Sequence, residues 1–391
     1  MSQKLGVCLI GSGGAVSTTI VAGVALMRKN LAPKQGMITE SPLAQGLALA
    51  SLDKLVFGGW DLREDNAFEA AKSHEVVPQH LLNFVKDDLE SLKPWKAAVS
   101  SKFLHSMSGQ NVLACGSFRE EIVSIKQDML KFKEAYTLDG LVMVNLTSTE
   151  KFSEPQEVHR SLEAFEKGLD ENNSRISPAM KYLYAALDSG VPYVNFTPSL
   201  TNIPALAEMA RMKKVPLAGE DGKTGQTLLK TALAPMFAAR NLKVDGWYSA
   251  NILGNNDGLV LNDPESNKTK VTSKRSVLDN ILGYKVDDHQ VHIHYYKPRG
   301  DAKESWDNID ISGFLGERMQ IKVNFLCKDS ILAAPLVIDM VRLIDLAKRR
   351  GDYGIQEQLS LFFKAPYHEA GQQPEHNLFT QHEILVKWMR G

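Results

Sequence analysis

The chain has 391 residues, of which 43% are hydrophobic and 23% charged, and its formal net charge is −1 at pH 7. This composition is typical of a soluble globular protein, and the length predicts two domains. A net charge so close to zero gives no long-range attraction for nucleic acid or an anionic membrane, so we expect neither as a partner. Three cysteines without a CxxC pair, no signal-sequence pattern and no long apolar segment predict a cytoplasmic protein without structural zinc.

The first residues of the chain follow the pattern of a dinucleotide-binding turn. The apolar stretch Leu5–Ile10 is followed by Gly11-Ser12-Gly13-Gly14 and then by a helical pattern. Glycines let a pyrophosphate approach the backbone, and a helix N-terminus attracts its negative charge. The third glycine of GxGxxG is absent, and Val16-Ser17-Thr18 stand near its place. A glycine turn without a ligand is the alternative interpretation.

An acidic residue at the end of the second strand of such a fold binds the ribose hydroxyls of the adenosine. The apolar stretch 55–61 ends in Asp61, which we predict to fill this role. Asp61 lies further along the chain from the glycine turn than is usual for this fold. Residues 30–54 are therefore predicted to form an insertion.

Strands and helices alternate through the first half of the chain. The sequence predicts helices over 66–73, 80–91, 118–135 and 178–189, and strands over 140–145 and 193–196. This order predicts an α/β fold with a doubly wound parallel (Rossmann) sheet, which binds ligands at the carboxyl ends of its strands. Polar residues that follow these predicted strands are candidates for that edge: Asn145, Thr147, Ser148, Thr149, Asn195, Thr197 and Ser199.

The character of the sequence changes after about residue 200. Longer strand patterns occur at 244–252, 290–297 and 318–327, and a strong helical pattern follows from Asp329 to about residue 349. Alternating apolar and polar residues in these strands predict an α+β domain with an open, partly antiparallel sheet.

One polar run stands out between residues 249 and 274. It begins with polar residues at a predicted strand end, which are Asn251, Asn255, Asn256 and Asp257, and Gly258 ends this polar group. Lys270 and Lys274 follow at an i, i+4 spacing. Two adjacent ammonium groups suit an anion such as a phosphate or an enolate. A surface turn followed by solvated lysines is the alternative interpretation.

Two further clusters were weighed for chemistry. His289, His292 and His294 suggest a metal site, but no carboxylate or cysteine shares their spacing, so we favour a half-exposed strand and predict no metal. Lys297, Lys303 and Lys364 add three candidate cations, which sequence spacing alone cannot bring together.

Four motifs together resemble the myo-inositol-phosphate synthase family, in the same order and with compatible spacing. They are Gly219-Glu-Asp-Gly-Lys-Thr-Gly-Gln-Thr227, Leu253-Gly-Asn-Asn-Asp-Gly258, Lys297-Pro-Arg-Gly-Asp-Ala-Lys303 and Cys327-Lys-Asp-Ser-Ile-Leu-Ala333. The glycine turn, Gly59-Trp60-Asp61, Ser148-Thr-Glu-Lys-Phe152 and Asn195-Phe-Thr-Pro198 resemble the N-terminal motifs of that family. The resemblance spans nearly the whole chain.

The resemblance implies an NAD-dependent, redox-neutral cyclisation of D-glucose 6-phosphate to 1L-myo-inositol 1-phosphate. Oxidation at C5 acidifies C6, the C6 enolate attacks the C1 aldehyde, and re-reduction regenerates the cofactor. It also implies a homotetramer, an NAD-binding Rossmann domain over 1–199 completed by 335–391, and an α+β catalytic and tetramerisation domain over 200–334. An oxidoreductase for another sugar phosphate, and a non-catalytic NAD-binding sensor, are the alternatives.

The resemblance also implies roles for individual residues. Lys270 and Lys364 would face the C5 oxygen, and Lys274 and Lys297 would hold the phosphate and the aldehyde oxygen. Asp221, Asp257 and Asp329 complete the implied catalytic set, and Asn195, Thr197, Asn251 and Asn255 the substrate-binding set. The implied cofactor-binding residues are Gly11, Gly13, Gly14, Ala15, Val16, Asp61, Thr147, Ser148, Asp221, Asn256 and Asp257. Where the family usually has Asn-Asn-Gly after the paired glycines, this chain has Ala15-Val16-Ser17.

Overall fold

The computed structural model describes residues 3–104, 109–254, 277–369 and 371–391. The chain divides into two compact units. The first unit comprises Met1–Asp221, Ala334–Glu357 and Tyr367–Gln372, and the second comprises Gly222–Ala333, Gln358–Pro366 and Gln373–Gly391. No described helix is long and apolar enough to span a membrane.

The first unit is built on a seven-stranded parallel sheet of order β11-β6-β5-β4-β1-β2-β3. Strand β1, which lies between β4 and β2, is buried along its whole length, as expected for a sheet that is covered on both faces. The strands are β1 Leu5–Ile10, β2 Leu55–Asp61, β3 Trp95–Lys96, β4 Gly140–Asn145, β5 Tyr193–Asn195, β6 Pro216–Gly219 and β11 Gly354–Ile355. The predicted Rossmann fold is confirmed.

Helices connect these strands, and several begin at a residue whose side chain caps the first turn. Asn66, Ser117, Ser161 and Ser177 each accept a hydrogen bond from a backbone N–H of the helix that follows. The predicted helix over 80–91 is in fact two helices, because Val85 leaves the helical conformation. The helices are α1 Ala15–Arg28, α2 Ala67–His74, α3 Gln79–Phe84, α4 Lys86–Glu90, α5 Phe118–Ala135, α6 Leu162–Asp170, α7 Pro178–Asp188 and α8 Pro204–Met212.

The predicted insertion at residues 30–54 contains three short 3₁₀ turns, Ile38–Glu40, Pro42–Ala44 and Leu52–Lys54. It is fixed within the first unit by the long helix α10, Asp329–Arg350. The Asp339 carboxylate accepts hydrogen bonds from the backbone N–H groups of Ile38, at 2.7 Å, and Thr39, at 3.0 Å. The insertion is thus anchored by buried polar contacts.

The second unit contains a mixed four-stranded sheet of order β10-β9-β7-β8. Strands β7 and β8 are parallel, whereas β9 is antiparallel to both β7 and β10. The strands are β7 Lys243–Leu253, β8 Asp288–Tyr295, β9 Ala302–Ser312 and β10 Arg318–Lys328. The sequence prediction missed β9, because polar residues such as Asp307 occupy positions that are buried in this strand.

Helix α9, Gly225–Ala239, packs on one face of this sheet, with Phe237 against Trp247 at a ring-centroid distance of 6.4 Å. Residues 277–282 are also helical, and the C-terminal helix α11, Leu378–Arg390, contacts α9. Residues 200–221 supply α8 and β6 to the first unit, although the sequence prediction placed them in the second domain. Residues 373–391 supply α11 to the second unit, although the prediction placed them in the first domain.

Candidate functional site

The glycine turn after β1 is held by the end of β2. Gly11 has a φ of +82°, which favours glycine, and the backbone N–H of Gly13 donates to Asp61 Oδ2 at 2.8 Å. A Cβ on Gly13 would lie only 3.1 Å from that same oxygen. Asp61 is 6% exposed, and its other carboxylate oxygen accepts from the backbone N–H of Arg63 at 3.0 Å. Asp61 therefore lies where the sequence predicted, and it also fixes the turn.

The missing third glycine is replaced by a residue that supports the turn. The Ser17 hydroxyl donates to the Gly11 carbonyl oxygen at 2.7 Å. Gly14 is the N-cap of α1, so no side chain covers the helix end. The first turn of α1 includes Ala15 and Val16 and contains no acidic residue. The positive end of the α1 dipole is thus open to an anion such as a pyrophosphate.

A buried hydrogen-bond chain runs along the carboxyl edge of the same sheet. Asn145 Nδ2 donates to Asn195 Oδ1 at 2.9 Å, which joins the ends of the neighbouring strands β4 and β5. Asn145 Oδ1 accepts from the backbone N–H and the hydroxyl of Thr147, at 3.2 and 2.8 Å. The Thr197 hydroxyl donates to the Thr147 carbonyl oxygen at 2.7 Å. Ser148 follows Thr147 and is partly exposed at this edge.

Asn195 and Thr197 were predicted to bind substrate, but their polar side-chain atoms are engaged with other protein groups. Asn195 is 0% exposed, and its Nδ2 lies within hydrogen-bond distance of four side-chain oxygens. These belong to Ser199 at 3.0 Å, Thr201 at 2.8 Å, Glu220 at 3.2 Å and Tyr367 at 2.9 Å. Both residues are placed to shape the strand ends rather than to extend a free group from them.

Glu220, at the end of β6, was not singled out by the sequence. Burial is the main reason that its carboxyl pKa rises to about 8, and the neighbouring Asp221 carboxylate adds to the rise. Hydrogen bonds from Ser199, Asn195 and Tyr367 oppose the shift without cancelling it. Asp221 has a φ of +58°, a left-handed conformation that is uncommon for a residue other than glycine. Perturbed acids and strained backbone are both frequent at functional sites.

In the second unit, four predicted or candidate residues gather at one end of the mixed sheet. Asn251 lies near the carboxyl end of β7, and Lys297 follows the parallel strand β8. Lys303 begins the antiparallel strand β9 and pairs with Leu253, and Asp329 follows β10. Strand directions alone therefore place these four residues at the same sheet end, where Lys297 is exposed. Asn255, Asn256, Asp257, Lys270 and Lys274 lie outside the described residues.

Helix α9 begins at this end of the sheet. The hydroxyl of Thr224, its N-cap residue, does not cap the helix but donates to Asp329 Oδ1 at 2.8 Å. The Lys303 ammonium group lies 3.5 Å from the same carboxylate oxygen. Thr227, in the first turn, is 3% exposed, and its hydroxyl has no partner among the described residues. This arrangement provides a helix N-terminus, an ammonium group and a buried hydroxyl, which are the components of a phosphate site.

Two more lysines lie on neighbouring backbone segments of the second unit. Gly222 forms an antiparallel bridge with Phe363, and the backbone N–H of Lys223 donates to the Phe362 carbonyl oxygen at 2.8 Å. Lys364, which was predicted to be catalytic, follows directly and is half-buried. The Lys223 ammonium group donates to Gln381 Oε1, and burial lowers the pKa of Lys223 to about 7.

His292 and His294 stack on each other, whereas His289 Nε2 lies 2.6 Å from the Lys230 ammonium group. The His292 and His294 rings are nearly parallel, with centroids 6.2 Å apart, and Tyr248 packs against His292. Within the described ranges, no group of three or more His, Cys, Asp or Glu side chains is arranged to hold a metal ion.

The parallel sheet, the glycine turn after β1 and the acid after β2 define a Rossmann-type dinucleotide-binding protein. Residues 5–390 match the family model described as myo-inositol-1-phosphate synthase. Inositol-3-phosphate synthase 1 of Bacteroides thetaiotaomicron is 45% identical over 99% of this chain and 95% of its own length. The chain belongs to the myo-inositol-1-phosphate synthase family.

Solved structures agree with this assignment. The crystal structure of inositol-3-phosphate synthase from Caenorhabditis elegans matches with a TM-score of 0.93 at 26% identity, covering 100% of this chain and 86% of that chain. The structure of a myo-inositol-1-phosphate synthase-related protein from Thermotoga maritima matches with a TM-score of 0.80 at 25% identity, covering 100% of this chain and 99% of that chain.

Proposed function

We propose that this protein is an inositol-3-phosphate synthase, which converts D-glucose 6-phosphate to 1L-myo-inositol 1-phosphate with NAD as cofactor. The observation that carries the proposal is the sheet end in the second unit, where Asn251, Lys297, Lys303 and Asp329 gather beside the start of α9. Such a cluster suits a phosphorylated sugar, and the first unit supplies a separate dinucleotide fold. Family membership over residues 5–390 supports both halves of the proposal.

The glycine turn fits NAD. A Cβ on Gly13 would lie 3.1 Å from Asp61 Oδ2, and one on Gly14 would lie 3.1 Å from the Gly11 carbonyl oxygen, so glycine is what lets the turn pack this closely. Gly11, Gly13, Gly14, Ala15 and Val16 would hold the pyrophosphate. Asp61 would bind the ribose, with Thr147, Ser148, Asp221, Asn256 and Asp257 nearer the nicotinamide. When bound, NAD supplies the redox chemistry at C5 and is unchanged after one turnover.

We assign the substrate phosphate to the start of α9. The backbone N–H groups of the first turn, the Thr227 hydroxyl and the Lys303 ammonium group would meet its oxygens. Asp329 would hold both Thr224 and Lys303 in place through its carboxylate. Sequence analysis identified Lys303 only as one of several candidate cations, and it did not single out Thr224.

The lysines would stabilise the negative charge that develops during cyclisation. An aldol step at neutral pH needs cations at the C5 oxygen, which bears the enolate charge, and at the C1 oxygen. We propose that Lys270 and Lys364 act at the C5 oxygen and that Lys274 and Lys297 act at the phosphate and the aldehyde oxygen. Asn251 and Asn255 would orient the sugar hydroxyls, and Asp221, Asp257 and Asp329 would position the cations. Asn195 and Thr197 would support the site indirectly, by holding the ends of the strands in place.

We also propose a cytoplasmic homotetramer assembled through the open face of the mixed sheet. Tyr248 and Trp306, on the neighbouring strands β7 and β9, are 47% and 49% exposed. Exposed aromatic residues side by side on a sheet are typical of an interface. Light scattering coupled to gel filtration should give four times the chain mass, and Trp306→Glu should lower it. A Trp306→Glu variant with unchanged mass would place the interface elsewhere.

The experiment that tests the function is incubation of the purified protein with glucose 6-phosphate and catalytic NAD, followed by phosphorus and proton NMR. We expect inositol 1-phosphate without net NADH. Lys274→Ala should abolish the product, whereas Lys167→Ala is a matched control, since the Lys167 side chain is 75% exposed. No product, with NADH accumulating on another sugar phosphate, would identify an ordinary oxidoreductase. NAD binding without any turnover would identify a sensor.

A further inference from the structure

A buried chain of polar side chains crosses the core of the second unit and ends at Asn251. Asp307 is 3% exposed, and its Oδ1 accepts from Gln226 Nε2 at 2.9 Å, Trp247 Nε1 at 2.8 Å and the Ser249 hydroxyl at 2.7 Å. Its Oδ2 accepts from the Ser305 hydroxyl at 2.8 Å. Four donors match the accepting capacity of one carboxylate, and the network fixes the direction of each partner.

The direction of the Gln226 amide follows from this network. The carboxylate of Asp307 accepts hydrogen bonds, so Gln226 must turn its NH₂ group toward it. Gln226 Oε1 then faces away from Asp307 and accepts from Asn251 Nδ2 at 3.2 Å. The amide of Gln226 cannot rotate by 180° without placing its oxygen against the carboxylate. Asp307 therefore determines which end of Gln226 meets Asn251.

The direction of the Asn251 amide is determined in turn, and by two acceptors. Asn251 Nδ2 faces Gln226 Oε1 and also lies 3.4 Å from the carbonyl oxygen of His292. Both partners are acceptors, so the amide nitrogen must lie on this side. Asn251 Oδ1 is left on the opposite side of the amide. Asn251 is 1% exposed, and no described residue donates a hydrogen bond to this oxygen.

We propose that Gln226 and Asp307 are positioning residues that turn the Asn251 amide so that its oxygen accepts a hydrogen bond from a hydroxyl group of the bound sugar phosphate. The inference rests on the proposed function, since it assigns a task within that substrate site. A buried amide oxygen without a donor is destabilising, and a substrate hydroxyl removes that cost on binding. The same geometry discriminates against an analogue that lacks the hydroxyl, because the oxygen would stay buried and unpaired.

A double-mutant cycle tests this inference. Gln226→Met removes the acceptor for Asn251 Nδ2 at similar volume, and Asn251→Leu removes the presented oxygen. Each single change should lower kcat/KM for glucose 6-phosphate roughly 5- to 100-fold. If Gln226 acts through Asn251, the double variant should be within about twofold of Asn251→Leu alone. Multiplying effects in the double variant would overturn the inference, because Gln226 would then act independently.

Conservative and control variants separate positioning from a loss of fold. Asp307→Asn keeps an acceptor for the three donors and turns its NH₂ group to Ser305, so we expect it to retain far more activity than Asp307→Leu. Gln79→Met is the matched control, because the exposed Gln79 side chain donates a hydrogen bond to Asn83 in the first unit and lies in no proposed site. Melting temperature and NAD affinity report folding in every variant. If Asn251→Leu lowers the melting temperature but leaves kcat and KM unchanged, the oxygen serves the fold and the inference fails.

The wild-type protein distinguishes this inference from the proposed function. If the wild-type chain forms no inositol phosphate, the proposed function fails, whatever the variants do. If the wild-type chain is active and Gln226→Met stays within twofold of it, only the inference fails. Measurement of glucose 6-phosphate affinity with the same variants gives a readout that does not depend on turnover.

Discussion

The Glu220 carboxylate lies 3.2 Å from the amide nitrogen of Asn195, so the ends of β5 and β6 are joined by a titratable contact. Asn195 is fully buried, and the raised pKa of Glu220, about 8, means that this carboxyl group is mainly protonated at neutral pH. A protonated acid and a carboxamide have the same shape and similar hydrogen-bonding capacity.

Glu220→Gln should change how stability depends on pH. The pKa of Glu220 is higher in the folded chain, about 8, than its ordinary value of 4.5, so the folded state holds a proton that the unfolded state releases. This contribution to stability is full below pH 4.5 and is lost as the pH rises toward 8. The loss, on the order of 3–5 kcal/mol, should be absent in Glu220→Gln. Thermal unfolding at pH 5, 6.5 and 8 measures it, and parallel curves for both proteins would contradict it.

Lys223→Met should show the opposite slope with pH. Burial lowers the pKa of Lys223 from 10.5 to about 7, so the unfolded state binds more protons between these values. The wild-type protein should therefore gain stability relative to Lys223→Met as the pH rises from 7 toward 10. Lys167→Met, at an exposed position, is the control and should give a constant difference. Urea unfolding across this pH range makes the comparison, and a constant offset for Lys223→Met would count against the prediction.

Gly13→Ala should weaken NAD binding by tenfold or more. The added Cβ would lie 3.1 Å from Asp61 Oδ2, within the turn that we assign to the pyrophosphate. Gly23→Ala is a matched control in the following helix, because nothing lies within 4 Å of its added Cβ. That control should keep NAD affinity and gain about 0.5–1 kcal/mol of stability. Calorimetric titration with NAD provides the test, and equal affinity in both variants would remove the turn from the cofactor site.

Thr224→Val should raise the KM for glucose 6-phosphate. It removes the hydroxyl that donates to Asp329 Oδ1 at 2.8 Å and keeps the Lys303 ammonium group 3.5 Å from the same oxygen. We expect a loss of kcat/KM of roughly 5- to 20-fold, which corresponds to one hydrogen bond to a charged group. Thr224→Ser keeps the hydroxyl and should restore most of the activity. Steady-state kinetics separate the two, and equal loss in both variants would show that the methyl group matters instead.

The sequence predicted the first unit better than the second, for a physical reason. Buried parallel strands such as β1 and β4 are continuous apolar stretches, and their bounds matched the predicted ones. Strand β9 was missed because its buried positions include Glu304, Ser305 and Asp307, and the Asp307 carboxylate takes most of its partners from β7 and α9. Local patterns carry no information about such partners.

The candidate site shows the same limit. The glycine turn and Asp61 were predicted, since a turn signal and a strand end are local features. The grouping of Lys303 with Thr224 and Asp329 was not, because it depends on strand directions that place distant residues at one sheet end. The pKa of Glu220 also depends on groups far away in sequence, such as the Tyr367 hydroxyl, whose hydrogen bond opposes the rise that burial causes. Tertiary structure creates both properties.

The hydrogen-bond chain at the carboxyl edge of the parallel sheet has a direction. Thr147 donates to Asn145, Asn145 donates to Asn195, and Asn195 donates toward Glu220. The oxygen of each amide accepts from the preceding member of the chain, and its nitrogen donates to the next member. An aspartate in place of either asparagine would put a carboxylate oxygen where the nitrogen donates, facing the oxygen of the next residue. Evolution can reverse this chain only by changing several of its members together. In diverging relatives, these four positions should therefore be inherited as a block, with compensating changes when one of them varies.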